Sequence, residues 1–193
     1  GRRIQPNAVP GDFKFEDLNG DGVINANDRV LLGSDVPDFS AGLTNRFTYK
    51  NFDVSMDSYG SLGSKVYNGK KAQRFSGENI ENSLASDFWT PSNTNAGNPG
   101  AFNQVPVAST YYLESGDFWR INNITIGYKL PKTFDAISSA RIYFNAINPF
   151  ITKKFSGFSP ELNGDGNPYG SQGVELDAYP TLKSFVFGIN LKF

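Results

Sequence analysis

Six oxygen-bearing residues stand at fixed intervals near the start of the chain: Asp17, Asn19, Asp21, Val23 (through its carbonyl), Asn25 and Asp28. They occupy positions 1, 3, 5, 7, 9 and 12 of an EF-hand-type loop, with Gly22 at position 6, where the chain must turn sharply. A hard cation takes about six to eight oxygens, and this spacing folds one short segment around one ion. The expected chemistry is structural binding of Ca2+. The closing ligand is Asp rather than the usual Glu. Its shorter reach gives fewer contacts and weaker binding, or favours a smaller ion such as Mg2+. The same residue types also build turns without metal, but here all six offsets are filled. A second run, Glu161-Leu162-Asn163-Gly164-Asp165-Gly166, starts the same way. It then meets Pro168 and places Gln172 at position 12, so it reads as a polar loop.

Little other chemistry is on offer. The chain has no His and no Cys. That removes Ser-His-Asp and Cys-His catalysis, imidazole and thiolate metal sites, and any disulfide framework. A carboxylate-pair hydrolase would have to draw on Glu78, Glu81, Glu114 and Glu161, all on loops without a supporting motif. No catalytic residue is assigned, and the chain is not expected to be an enzyme. The 18 Lys+Arg nearly balance the 19 Asp+Glu, so the basic face of a nucleic-acid binder is missing. The pairs Arg2-Arg3 and Lys70-Lys71 are too short to change that.

The elements that must carry these residues are β-strands. Aromatic residues make up 15% of the 193 positions and Gly contributes 20, which disfavours long helices. No run of eighteen apolar residues exists, so a transmembrane helix is not expected. A transmembrane strand needs only about 9–11 residues and one apolar face. The last segment has that form: Phe185, Phe187, Ile189, Leu191 and Phe193 alternate with Val186, Gly188, Asn190 and Lys192. Phe39 to Tyr49 alternates similarly, turns at Lys50-Asn51, and returns through Phe52, Val54 and Met56. Asn123 to Leu130 puts Ile124, Ile126, Tyr128 and Leu130 on one face. Phe118 to Asn122 has a less regular phase and is expected to hold a bulge. Ala140 to Phe150 completes about five strands.

The connections alternate between short (50–51 and 131–139) and long (60–117 and 151–183). That is the habit of outer-membrane barrels, with short periplasmic turns and long extracellular loops. On that reading Phe193 lies on the periplasmic side. Residues 1–37 form an extracellular loop around the acidic segment 17–28, and 38–193 carry the strands. Asp53, Asp57, Arg141, Tyr143, Asn145, Asn190 and Lys192 then face an aqueous lumen. Tyr49, Tyr128 and Phe193 fall near the short-turn ends and fit an aromatic girdle. Five strands cannot close a barrel, whose known bacterial forms start at about eight, so more strands are expected elsewhere. The start at Gly1-Arg2-Arg3, without Met or signal peptide, reads as a mature or truncated product. The competing architecture is a secreted, calcium-stabilised β-sandwich binding module with an aromatic core.

Several motifs in order are familiar: G-D-F-K-F-E-D-L-N-G-D-G-V-I-N-A-N-D-R from Gly11, P-D-F-S-A-G-L from Pro37, Y-K-N-F-D-V-S-M from Tyr49 and D-F-W-T-P-S-N from Asp87. After them come F-W-R-I-N-N-I-T-I-G-Y-K-L-P from Phe118, R-I-Y-F-N-A-I-N-P-F from Arg141 and Y-P-T-L-K-S-F-V-F-G-I-N-L-K-F at the end. Over nearly the whole chain this resembles the C-terminal end of the SusC/RagA family of TonB-linked outer-membrane transporters. The resemblance implies an all-β chain supplying the last five or six strands of a barrel of about 22 strands, in the outer membrane of a Gram-negative bacterium. It implies import of oligosaccharides or oligopeptides, a SusD-like surface lipoprotein as lid, and energy from TonB acting on an internal plug. Neither plug nor TonB box is in this sequence. Phe187, Gly188, Ile189, Leu191 and Phe193 match the terminal signal read during barrel assembly. Trp89, Tyr111, Tyr112 and Trp119, in or beside the first long loop, are candidates for contact with substrate or lid.

Overall fold

A computed structural model describes residues 4–73, 86–100, 109–131, 136–161, 173–175 and 180–193. Five strands form one antiparallel sheet: β1 (Phe39–Tyr49), β2 (Phe52–Leu62), β5 (Phe118–Leu130), β6 (Ser139–Lys153) and β8 (Ser184–Lys192). Their order is β1-β2-β5-β6-β8, so each pairs with the next long strand in the chain. A smaller sheet joins β4 (Leu113–Ser115), β3 (Lys65–Asn68) and β7 (Val174–Glu175). The described helices are one short α-helix, α1 (Gly69–Gln73), and single 3-10 turns at Ala26–Asp28 and Thr110–Tyr112. None is long and apolar enough to cross a membrane.

The chain gathers into two compact units. One combines Gly1–Gly33 with Asn68–Leu113, and the other combines Ser34–Tyr67 with Glu114–Phe193. The acidic N-terminal segment shares a unit with part of the first long loop. That loop and its successor also contain β3, α1, β4 and β7, where periodicity is too short to register.

The register follows the alternation read from sequence. Tyr49 pairs with Phe52 across the Lys50-Asn51 turn, where Lys50 takes the left-handed conformation at φ 52°. Phe52 pairs with Tyr128, Val54 with Ile126 and Met56 with Ile124. Phe144 pairs with both Ile126 and Phe187, and Ile142 with Ile189. The strands run longer than the pattern indicated, β2 to Leu62 and β6 to Lys153, because their outer ends are less apolar.

The irregularity in β5 is a bulge at Asn122. Ser58 pairs with Ile121 and Asp57 with Asn123, so Asn122 is left over. On β6 the residues Asn148 and Pro149 are left over opposite it, and Asn148 adopts φ 50°. The extra residue restores phase. It returns Ile121 and Trp119 to the face that carries Ile124, Ile126 and Tyr128.

A sandwich would cover one face with a second layer. Among the described residues no such layer lies over the terminal row: Phe185 is 62% exposed, Phe187 81%, Ile189 65% and Phe193 84%. The sandwich architecture is ruled out on this point. Among the described residues the buried apolar side chains are Val66, Ala72, Tyr112, Phe118, Ala146 and Phe155, too few and too scattered to form one contiguous core.

Candidate functional site

The sheet presents two chemically opposite faces. One collects Phe39, Leu43, Phe47, Tyr49, Phe52, Val54, Ile124, Ile126, Ile142, Phe144 and the Phe185–Phe193 row. Most of these are exposed. Ring contacts cross the strands on this face, with Phe52 4.6 Å from Tyr128 and Phe144 4.8 Å from Phe187. Near the loop ends Trp119 lies over Gly60, where an added Cβ would come within 2.6 Å of the indole. Trp119 is thus an outward residue of β5, separate from the loop aromatics it was grouped with.

The opposite face carries Asp53, Asp57, Arg141, Tyr143, Asn145, Asn190 and Lys192, all seven residues expected there. Arg141 of β6 reaches Asp53 of β2 with two hydrogen bonds, Nε at 2.9 Å and Nη2 at 2.5 Å. To do so it passes over β5 at Gly127. Tyr143 lies over Gly188 of β8 in the same way. Thr44 donates to Asp57 at 2.8 Å.

Sequence reasoning missed a buried polar cluster at the loop end of this face. Arg120 is only 4% exposed, and its Nη2 donates to Glu161, Ser159 and Thr181. Burial pushes the Glu161 carboxyl up. Its partners lie about forty to sixty residues away in sequence, so no local spacing reveals them. Beside it, a recess of about 240 Å³ is lined by Asp35, Pro37, Tyr59, Ser61, Ser64, Val66, Phe118, Pro160 and Glu161. Tyr59 and Phe118 meet edge to face at 5.6 Å in its wall. Asp117 accepts the Gly63 N–H at 2.8 Å and pairs with Lys154 at 3.0 Å. The Gly63 amide and then the lysine hold its carboxyl down at about 2. Glu114 accepts from both the amide and the hydroxyl of Ser156. Glu161 and Glu114 are thus both engaged in structural contacts; Glu78 and Glu81 lie outside the described residues.

In the other unit the loop aromatics pack together. Tyr112 is wholly enclosed, with Phe13 at 6.0 Å and Tyr111 at 5.1 Å between ring centroids. The Lys71 ammonium sits 3.7 Å from the centre of the Tyr111 ring, and the Tyr111 hydroxyl donates to Asn98 at 2.5 Å. Trp89 packs on Gly11, which adopts φ 97°; an added Cβ there would meet the indole at 2.6 Å. Of the four candidate contact residues, Tyr111 and Tyr112 are brought together, Asn98 links Tyr111 to the backbone of Trp89, and Trp119 belongs to the other unit.

The acidic loop closes on itself. Asp17 accepts the amides of Gly20 and Gly22, both at 2.8 Å. Asn19 accepts Asp21 N–H, and Asp21 accepts Val23 N–H. Asp28 accepts Leu18 N–H at 3.0 Å and Asn25 N–H at 2.7 Å, so the twelfth position folds back onto the second. The Asn25 amide, ahead of the others, lowers the Asp28 pKa. Gly22 turns at φ 83°. Among the described residues no group of three or more His, Cys, Asp or Glu gathers around one point. The donor set that remains is three carboxylates, two amide oxygens and the Val23 carbonyl, all hard oxygens. The second acidic run lies outside the described residues beyond Glu161.

No family model matches the chain. It is similar to TonB-dependent receptor P3 of Formosa agariphila, 31% identical over 191 residues, covering 95% of this chain and 19% of that receptor. TonB-dependent receptor SusC of Bacteroides thetaiotaomicron is 28% identical over 194 residues, covering 97% of this chain and 18% of SusC. The chain thus spans about a fifth of the length of the curated relatives it matches. Among solved structures, the RagAB peptide transporter superposes with a TM-score of 0.68 at 27% identity, over 84% of this chain and 18% of the matched one. The RagAB peptide importer in its closed-closed state gives 0.70 at 25% identity, over 96% and 21%.

Proposed function

Since the chain belongs to the family of TonB-dependent receptors that includes SusC and RagA, we propose that it forms the C-terminal wall of an outer-membrane nutrient importer. Its apolar face meets lipid and its polar face lines the lumen. The observation that carries this reading is the uncovered row Phe185, Phe187, Ile189, Leu191 and Phe193, set back to back with the polar register Asn145, Tyr143 and Arg141 on the neighbouring strand. The edge strands β1 and β8 support it further. Unpaired backbone groups cost several kcal/mol each in hydrocarbon, so both edges are paired by strands of the rest of the receptor.

The cargo is an oligosaccharide or oligopeptide, taken up with a SusD-like lipoprotein over the loop end and TonB acting from the periplasm. Peptide transport by RagAB supports the second cargo class. Trp89 and Tyr111 offer aromatic surface to cargo or lid, and Trp119 anchors the sheet at the outer interface. The segment Phe187 to Phe193 serves as the assembly signal. The 17–28 loop holds Ca2+: Asp28 already ties the end of the loop back to Leu18, and every oxygen that accepts one amide keeps a further lone pair for the ion. When bound, the ion pins the loop and takes no part in transport chemistry.

The test is accessibility. In the full receptor in bilayers, a spin label at Phe187→Cys should be reached by oxygen dissolved in lipid. A label at Asn190→Cys should not. The opposite ranking rejects the reading.

A further inference from the structure

The recess beside Arg120 does not end at Tyr59. A second hollow, of about 340 Å³, has Ser40, Gly42, Tyr59, Ser61 and Phe118 in its lining. It shares the last three with the recess of about 240 Å³. The two form one trough on the polar face, because Gly42 pairs with Tyr59, Ser40 with Ser61, and Tyr59 with Arg120. A trough of that size falls within the range of small-molecule pockets, roughly 300–1,000 Å³.

Its walls offer a matched set of groups. Gly42 leaves the floor bare: an added Cβ would meet only the Ser58 carbonyl oxygen, at 3.9 Å. Tyr59 presents an aromatic ring, braced edge to face by Phe118. Among the described residues the hydroxyls of Ser40, Tyr59 and Ser61 make no hydrogen bond. The Glu161 side chain is only 10% exposed, and its bonds from Arg120 and Ser159 both fall on Oε2. Oε1 therefore remains an acceptor. Arg120 balances the Glu161 charge, whereas Asp35 forms no ion pair among the described residues. No Lys or Arg lines either hollow.

We infer that this trough is a cargo subsite for uncharged sugar rings of an oligosaccharide. The inference rests on the proposal that the polar face lines the lumen, and it selects the first of the two cargo classes. A sugar hydroxyl both donates and accepts, so it suits a wall of hydroxyls beside a carboxylate oxygen. The C–H face of the ring packs on an aromatic side chain. An extended peptide draws instead on free backbone groups at a sheet edge. Here β2 is paired on both sides: Tyr59 with Gly42 and Arg120, Ser61 with Ser40 and Phe118. Acidic cargo meets two carboxylates and no spare cation, a like-charge juxtaposition that opposes binding.

Isothermal titration of the intact receptor tests this. The probes are neutral hexasaccharides of glucose, galactose, mannose and xylose, hexamers of galacturonic and mannuronic acid, and uncharged hexapeptides. At least one neutral hexasaccharide should bind about tenfold or more tightly than every uronic hexamer and peptide. Gly42→Leu fills the trough without touching its walls and should weaken that binding about tenfold or more. Tyr59→Phe keeps the ring, loses only the hydroxyl, and should weaken it several-fold. Three results overturn the inference: no neutral hexasaccharide binds, a uronic hexamer or peptide binds as well, or the affinity is unchanged in Gly42→Leu. The spin-label ranking at Phe187 and Asn190, measured on the same receptors, shows separately whether they are folded and whether the lumen reading itself has failed.

Discussion

Arg141 and Asp53 join β6 to β2 across the full width of β5, and they can do so because position 127 between them is glycine. Register alone keeps these two residues apart by one strand. The pair therefore ties three strands together through side chains as well as backbone.

Gly127→Leu fills the space that the guanidinium crosses. The expected loss is about 1–3 kcal/mol, as for other overpacked sites. Asp53→Asn should lose about 1 kcal/mol, since the pair is partly solvated and charge-assisted bonds are discounted there. The double variant should lose less than the two single losses together, because both remove one interaction. Urea unfolding of the full receptor in detergent measures all three.

Asp117 sets a pH dependence. Its carboxyl is held at about 2 in the folded protein, first by the Gly63 amide and then by Lys154. A depressed folded pKa contributes stability that is fully present above the unfolded value of about 3.9. That contribution disappears as pH falls from about 4 through about 2. The protection of the Gly63 amide against hydrogen exchange, taken relative to the intrinsic rate at each pH, should fall over that window. In Asp117→Asn exchange should be faster at neutral pH and respond less to acid.

Charge at the middle of the apolar row is costly. Phe187→Arg should destabilise bilayer insertion by about 2–4 kcal/mol, the range for arginine at mid-depth on a lipid face. Asn190→Arg, on the other face, should cost well under 1 kcal/mol. Reversible folding of the receptor into lipid vesicles gives both values. Equal costs would count against two distinct environments.

Calcium should protect the loop. Limited proteolysis within residues 12–33 should accelerate in EDTA and slow again on adding CaCl2. Asp21→Ala, which removes a carboxylate donor, should be cut at the EDTA rate in either condition. A rate indifferent to chelator removes the metal from the proposal.

Much of the sheet was legible because one residue in two had to be apolar. β8, the β1–β2 hairpin and the inner half of β5 declare themselves by strict alternation, and the faint phase before Asn123 correctly marked a bulge. The polar cluster around Arg120 was not legible. Its partners Ser159, Glu161 and Thr181 come from another connection, and nothing in their spacing points back to β5. The packing of Trp89 on Gly11 was hidden for the same reason: it joins segments nearly eighty residues apart through a backbone angle that only the fold reveals. The small sheet of β3, β4 and β7 has strands of two to four residues, too short to show any period.

The leftover residue at Asn122 works as a parity switch. Below it the outward positions of β5 are even-numbered, and above it they are odd. Removing that single residue would leave a regular strand with the same residues outward, whereas drawing Asn122 into the ladder would rotate the outer third of the strand by half a turn, sending Arg120 toward the bilayer and Trp119 toward the water. A change of one residue in the length of this strand is therefore absorbed where the bulge stands, without turning either half over.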